Sequence, residues 1–375
     1  MNCFISIGTF NTNYFIYCTL ITILELYINF GFSKINEKIL DKHQIFDIFC
    51  YYFGYLLNII PTWLVKENII DNNPDNKHMS AKDIIKFFSI CLILLLIQFI
   101  EIFSNIKDDD DNDNEDNQKE GYEGNYLFFL VLIMFIFLNC FKTTTFYKHQ
   151  KISFFTFFII ELIKTIYFLI KINYSEIYVY LIIIISYIFY SLLLSIYYIY
   201  IDNLMKHKYI SPYKCSFMIG AGFVPLIIIV YLFISFTYDF DNIFDLFESF
   251  KNLEAINYIS LISYPFASGI LGLLIFKVIN DFSLFHLYIP FILENFLAEI
   301  LGCEHKFNII FFLISSFLIE LIMKLVFLEV IEIKICGLNK NLKRNIELRA
   351  LHDSFSMNED ECAQLDENNI DKNIN

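Results

Sequence analysis

Long apolar stretches separated by short polar ones run through most of this 375-residue chain. A helix needs about 20 mostly apolar residues to cross the hydrocarbon core of a bilayer. Ten stretches approach that length, and they predict membrane-spanning helices at 14–33, 45–65, 87–104, 125–141, 152–170, 177–200, 215–237, 259–276, 283–302 and 308–329. The pattern therefore predicts an all-α, polytopic membrane protein with about ten transmembrane helices.

Composition agrees with this class and explains the net charge. Hydrophobic residues make up 57% of the chain and mean hydropathy is +0.54, too apolar for a soluble domain of this length. The net charge of −14 comes largely from an acidic loop at 106–124 and the end of the 330–375 tail, which is basic first and acidic afterwards. Blocks of like charge usually stay solvated, so we expect the loop to be disordered. The sequence offers no basic, aromatic surface typical of nucleic-acid binding.

Positive charge predicts the orientation. With both termini in the cytosol, 16 of the Lys and Arg residues up to Arg349 fall on the cytosolic side and 8 on the other. This bias favours a short cytosolic N-terminus at 1–13 and a cytosolic tail. The ten predicted spans divide into a first half at 14–170 and a second at 177–329. Each half contains five spans, an odd number, so two similar halves would have opposite orientations in the membrane. This is the geometry of an inverted-repeat transporter.

Ionisable side chains inside predicted spans are candidates for functional roles, because burying charge in lipid is costly. Glu161 and Lys164 lie three residues apart in the fifth span and share one helix face. They either belong to a substrate or proton site, or neutralise each other so that the helix can insert. Glu294 is the lone carboxylate of the stretch Pro290–Leu297 in the ninth span and a candidate substrate-binding residue. The other charges well inside spans are Glu25, Glu299, Glu320 and Lys324.

Small residues and prolines interrupt three of the spans. They mark places where helices pack closely or break. Asn58, in the second span, is a further candidate for substrate binding. The residues assigned to helix breaks or close packing are Gly54 and Pro61 in the second span, Gly220, Gly222 and Pro225 in the seventh, and Pro265 and Gly269 in the eighth. Tight packing explains these interruptions most simply, and hinges for alternating access are the second interpretation.

Motifs for catalysis and cofactor binding are missing from the sequence. There is no Gly-rich phosphate loop, no GxSxG and no HExxH. The nine cysteines include no CxxC pair, so neither a zinc site nor a disulfide framework is expected. The sequence therefore predicts a protein that is not an enzyme, with no metal and no cofactor.

The region Ser186–Gly222 carries a resemblance to a known family. An acidic residue, Asp202, follows the sixth span, and a short basic linker leads to Ser211-Pro212 and a Gly-containing seventh helix. This resembles the drug/metabolite transporter superfamily, particularly its nucleotide-sugar-transporter-like (solute carrier family 35-like) members. The stretch from Phe327 to Ile346 is similar to the end of such proteins from fungi and protists. The resemblance implies ten helices, two inverted five-helix repeats and a central cavity, but no particular substrate.

One feature departs from the nucleotide-sugar pattern. The ninth span lacks a clear basic motif for substrate recognition, and Lys164 and Lys277 are the candidate cations near the membrane interior. A nucleotide sugar carries two phosphates, so this scarcity of cations argues against that cargo.

Together these features predict a secondary transporter of a small polar metabolite, working by alternating access around a midplane cavity. The alternative is a non-transporting membrane scaffold whose loops or tail bind partners. Expected partners are the lipid bilayer and a small-molecule substrate; a homodimer is compatible with the sequence, and nucleic acid is not expected. We expect an endomembrane location, in the Golgi or the endoplasmic reticulum, rather than the plasma membrane.

Overall fold

The described part of the chain is almost entirely helical. The computed structural model describes residues 5–7, 11–32, 36, 43–64, 82–93, 95, 132–136, 146–171, 177–208, 210–237, 243–251, 253–302 and 307–333. The predicted acidic loop at 106–124 and nearly all of the predicted tail lie outside these residues. The helical class predicted from the sequence is confirmed.

The helices follow the predicted spans closely where both are described. In chain order they are α1 (Thr12–Leu26), α2 (Gln44–Leu57), α3 (Ile59–Leu64), α4 (82–93), α5 (132–136), α6 (Lys148–Lys171), α7 (Ile177–Lys208), α8 (Pro212–Thr237), α9 (Ile243–Lys251), α10 (Ala255–Asp281), α11 (Tyr288–Gly302) and α12 (Phe307–Phe327). A π-helical segment, Tyr27–Phe32, continues α1, and a 3₁₀ turn, Leu284–Leu287, precedes α11.

Among the described residues, four helices are long and apolar enough to cross a membrane. They are Gln44–Leu64, Ile188–Lys206, Pro212–Phe236 and Ala255–Asp281, and they coincide with the second, sixth, seventh and eighth predicted spans. Large apolar side chains on their surfaces are exposed, as lipid contact requires: Phe236 is 77% exposed and Ile259 is 67% exposed. The other six spans, and the division into two repeats, stay predictions.

Helix α2 is at the centre of the packing. Its most extensive contacts are with α8 and α10, which also contact each other. Helix α1 packs against α10 and α11, and α6 packs against α12. The buried core that results is rich in aromatic rings, such as the stacked pair Tyr52 and Phe223, whose centroids lie 4.1 Å apart.

A two-stranded antiparallel sheet joins the two ends of the helical region. Strand β1 (Ile5–Ile7) pairs with β2 (Ile331–Ile333), with Ile5 opposite Ile333. The first strand precedes α1 and the second follows α12, so the pairing places both ends of the helical region on the same side. The sequence did not predict these strands, since three-residue segments carry too little pattern to identify.

The connection from α12 to β2 is a tight turn. Glu329 has a φ of 62°, in the left-handed region that a non-glycine residue rarely adopts. The N–H of Val330 donates to the carbonyl of Leu325 at 2.9 Å and closes the end of the helix. The carboxylate of Glu329 lies 3.2 Å from Nε2 of the buried His149, at the start of α6. The turn thus fixes the end of the last helix against the fifth predicted span.

Candidate functional site

The first predicted span changes helix type near its middle. Asn11 caps α1, because its side chain accepts from the backbone N–H groups of Asn13 and Tyr14. After Leu26 the chain continues as the π-helical segment Tyr27–Phe32. Short π-helical insertions are rare in proteins. Those that occur are often located at functional sites. This one carries Asn29, whose side chain reaches across to the ninth predicted span.

Glu294 is where the first and ninth predicted spans meet through polar side chains. It is 7% exposed on α11, and Nδ2 of Asn29 donates to its Oε1 at 3.0 Å. Glu25, four residues before Asn29, is close enough to Glu294 for the two carboxyl groups to interact electrostatically. Two acidic side chains that are far apart in sequence therefore share one polar region, in which Glu294 is buried, Glu25 is half-buried and Asn29 is exposed.

Two tyrosines of α2 complete this region. The hydroxyls of Tyr51 and Tyr55 lie 3.3 Å apart, and both rings are within electrostatic reach of Glu25. We call the set formed by Glu25, Asn29, Tyr51, Tyr55 and Glu294 the Glu25–Glu294 site. It combines carboxyl groups, hydroxyls and an amide from three helical elements, so it can bind a proton, a cation or the polar part of a solute.

Further polar groups continue from this site toward the start of α10. The hydroxyl of Tyr27 lies 2.6 Å from Oγ of Ser263. Nδ2 of Asn36 donates to Oγ of Ser260 at 3.0 Å. The ring of Tyr264 stacks on Phe32 at 3.7 Å between centroids. The π-helical segment and Asn36 therefore face polar side chains on α10 rather than a purely apolar surface.

Toward the opposite end, α1 contacts the 3₁₀ turn and α11. Oγ1 of Thr22 donates to the carbonyl of Cys18 at 2.9 Å and also approaches that of Pro290 at 3.4 Å. The hydroxyl of Tyr14 donates to the carbonyl of His286 at 2.8 Å. Polar contacts thus line one face of the first predicted span on both sides of Glu25.

Glycines set the close approach of α2 to its neighbours. A Cβ atom added to Gly54 would lie 2.1 Å from the carbonyl oxygen of Pro265, and one on Gly269 would lie 2.4 Å from the carbonyl oxygen of Gly54. A Cβ on Gly220 would lie 2.2 Å from the backbone nitrogen of Leu56. These contacts are shorter than any side chain permits, so the backbones of α2, α8 and α10 meet directly at glycine.

The other small residues and prolines assigned from the sequence have different surroundings. A Cβ on Gly222 would meet the ring of Phe88 at 2.3 Å, so α8 also packs closely on α4. Helices α8 and α10 run through Pro225 and Pro265 without interruption. The interruption in α2 falls at Asn58, and Pro61 lies in the short helix α3 that follows.

Asn58 connects three helices at that interruption. Its Nδ2 donates to Oγ of Ser216 at 2.8 Å and to the carbonyl of Gly269 at 2.9 Å. Its backbone carbonyl accepts from the hydroxyl of Thr62 at 2.6 Å. Both amide hydrogens are therefore used within the protein. The structure places Asn58, a sequence-predicted candidate for substrate binding, as a link between α2, α8 and α10.

The remaining charged candidates lie elsewhere. The side chains of Glu161 and Lys164 are outside the described residues, although both positions belong to α6. Lys324, buried in α12, places Nζ 4.1 Å from the ring centroid of Phe157 and 4.5 Å from that of Tyr288. These residues line a cavity of about 20 Å³, large enough for about one water molecule.

Sequence reasoning identified Glu294 and the charge of Glu25 but did not bring them together. It missed Asn29, Tyr51 and Tyr55 altogether. A regular apolar stretch gives no signal for a π-helical segment, and tyrosine is too common here to stand out. The one available signal was the spacing of Glu25 and Asn29, which places two polar side chains on one face of a span.

Comparison with known proteins adds no assignment. The sequence matches no protein-family model and no curated protein. Within the described part of the chain, no group of three or more His, Cys, Asp or Glu side chains is arranged to hold a metal ion. The chemistry of the Glu25–Glu294 site must therefore be interpreted from its own geometry.

Proposed function

We propose that this chain is a secondary transporter that moves a small polar solute by alternating access, with the Glu25–Glu294 site as its binding site. The observation that carries the proposal is the hydrogen bond from Asn29 to the buried carboxyl group of Glu294, which joins the first and ninth predicted spans within electrostatic range of Glu25. Ionisable residues inside membrane-spanning segments are costly and mark substrate or proton pathways.

The electrostatics of the pair suggest how transport is coupled. Two like charges in one low-dielectric site repel each other, so both carboxyl groups do not remain ionised without compensation. A proton or a cation must accompany the pair in at least one state. Exchange of that proton or cation for the solute, or movement of both together, would supply the driving force for transport.

The packing of the helices also supports the proposal. In an inverted repeat of five plus five spans, the second span corresponds to the seventh and the fifth to the tenth. The contacts of α2 with α8 and of α6 with α12 join these corresponding spans. Such pairs lie next to a pseudo-twofold axis, around which one half of a transporter moves against the other.

The topology we propose has both termini in the cytosol. Its support is the excess of positive residues on that side together with the pairing of β1 and β2, which requires both ends of the helical region on one side. Protection of terminal tags in sealed vesicles measures this. We expect protease to digest both tags in vesicles whose cytosolic side faces outward. In vesicles of the opposite orientation, both tags should be protected.

Carbodiimide labelling tests the site before any solute is known. Dicyclohexylcarbodiimide reacts with protonated carboxyl groups in apolar surroundings, and mass spectrometry identifies the modified residue. We expect the reagent to label Glu25 or Glu294. One class of solute within a panel of amines, sugars, nucleosides and amino acids should protect the labelled carboxyl group from the reagent. The exposed Glu248 on α9 should stay unlabelled and serves as the internal control.

Failure of every solute class to protect the site would contradict a solute-binding role. That result would favour the alternative, a membrane scaffold that does not transport.

A further inference from the structure

Helix α9 (Ile243–Lys251) lies between two of the candidate membrane spans. It follows α8 and precedes α10, so it is located where one span ends and the next begins. Nine residues of α-helix extend about 13 Å, too short to cross a bilayer. The helix is therefore confined to the level of the membrane surface on that side.

One face of α9 packs against the protein. Leu246 is 4% exposed, and the ring of Phe250 lies 5.4 Å from that of Phe46, at the start of α2. The backbone carbonyl of Phe250 accepts a hydrogen bond from the hydroxyl of Tyr258 in the first turn of α10. These contacts join α9 to two of the central helices.

The outer surface of α9 carries two different strips. Phe244 and Phe247, three residues apart, are 66% and 58% exposed. Asp245 and Glu248, also three residues apart, form an exposed acidic strip beside them. A helix with a protein-facing side, an exposed aromatic strip and an exposed charged strip has the amphipathic pattern of an element lying in the plane of the bilayer interface.

The aromatic strip continues the lipid-facing surface of the neighbouring spans. Phe233 and Phe236, near the end of α8, are 65% and 77% exposed, and Ile256, at the start of α10, is 58% exposed. These residues belong to helices long and apolar enough to cross the bilayer. Lipid that covers them therefore reaches the level of α9.

We propose that α9 is an interfacial helix whose partner is the phospholipid leaflet. Phe244 and Phe247 insert between the acyl chains just below the headgroups, and Asp245 and Glu248 point to water. Through Phe250 and Phe46 the helix fixes the start of α2 at a defined depth in the membrane. This inference does not depend on the proposed transport activity.

Tryptophan fluorescence measures the depth of each strip. The chain has a single tryptophan, Trp63, which is 80% exposed, so Trp63→Phe gives a background without disturbing the core. In that background Phe247→Trp and Glu248→Trp form a matched pair on adjacent residues of the same helix. Both are examined after reconstitution of the full chain in phosphatidylcholine vesicles containing lipids brominated at the upper part of the acyl chain.

We expect blue-shifted emission and strong loss of fluorescence to brominated lipid for Phe247→Trp. Glu248→Trp should emit at longer wavelength and be quenched by aqueous iodide instead. Phe244→Trp provides a second aromatic-strip variant if Phe247→Trp folds poorly. Equal quenching by iodide of the tryptophan fluorescence in Phe247→Trp and Glu248→Trp would overturn the proposal, because α9 would then lie in water. Protection of Phe247→Trp from both quenchers would overturn it too, because protein, such as a second copy, would then cover the strip.

Discussion

The substitution Gly54→Ala tests whether direct backbone contact at glycine holds the central helices together. The added Cβ would lie 2.1 Å from both the carbonyl oxygen of Pro265 and Oγ of Ser268, and 2.7 Å from the backbone nitrogen of Gly269. A normal contact at these atoms needs about 3.2 Å or more, so α2 and α10 must separate by about 1 Å. Two of the three clashing atoms belong to backbone and cannot rotate away.

The expected magnitude follows from that separation. Overpacking a close contact costs about 1–3 kcal/mol. Moving α10 away also lengthens the hydrogen bond from Asn58 to Gly269, which contributes about 1 kcal/mol. The sum is about 3 kcal/mol, and it should lower the apparent midpoint of thermal unfolding in detergent by about 5 °C. Size-exclusion profiles of the heated, solubilised protein measure the midpoint.

Gly31→Ala is the matched control for that experiment. Its added Cβ would lie 3.1 Å from the ring of Tyr27, a side chain that can move by a few tenths of an ångström. We expect a change below about 1 kcal/mol, because a small shift of that ring relieves the contact. Equal midpoints for Gly54→Ala and the unmodified protein would refute the direct contact between α2 and α10.

Substitutions at two further positions, Asn58 and Glu329, test the polar links between helices. Asn58→Ala removes both hydrogen bonds that tie α2 to α8 and α10, and it should destabilise the protein by about 2 kcal/mol in the same unfolding assay. The control Thr19→Ala removes one exposed hydrogen bond within α1 and should be nearly neutral. Glu329→Gly should change stability little, because relief of the left-handed φ offsets loss of the contact with His149, whereas Glu329→Val should cost about 1–2 kcal/mol. Equal effects of the two Glu329 variants would contradict the described turn.

The sequence predicted the long helices because their signal is local. Continuous apolar stretches at 215–237 and 259–276 correspond to Pro212–Thr237 and Ala255–Asp281, which extend past the predicted bounds by up to five residues. Lipid-exposed surfaces demand apolar residues along the whole length of a span, so such helices stand out without knowledge of tertiary contacts. The polar residues at their ends carry no such signal.

The candidate site was harder to predict because it depends on contacts between distant parts of the chain. Asn29 and Glu294 are 265 residues apart, and only the packing of α1 against α11 brings them together. The π-helical segment that presents Asn29 contains no proline to mark it. Asn58 is a candidate for substrate binding by its sequence, but its two hydrogen bonds reach residues on two other helices, which no local pattern reveals.

Solute uptake by reconstituted protein tests the central claim most directly. Proteoliposomes are loaded with a pH-sensitive dye, and the solute class that protects the carboxyl groups from carbodiimide is added outside. We expect solute uptake that depends on a proton or cation gradient, with a change of internal pH where the coupled ion is a proton; this uptake is lost to background in Glu25→Gln and Glu294→Gln and retained in the surface control Glu248→Gln. Uptake by Glu294→Gln at the rate of the unmodified protein would contradict the account, because the site would then have no part in transport.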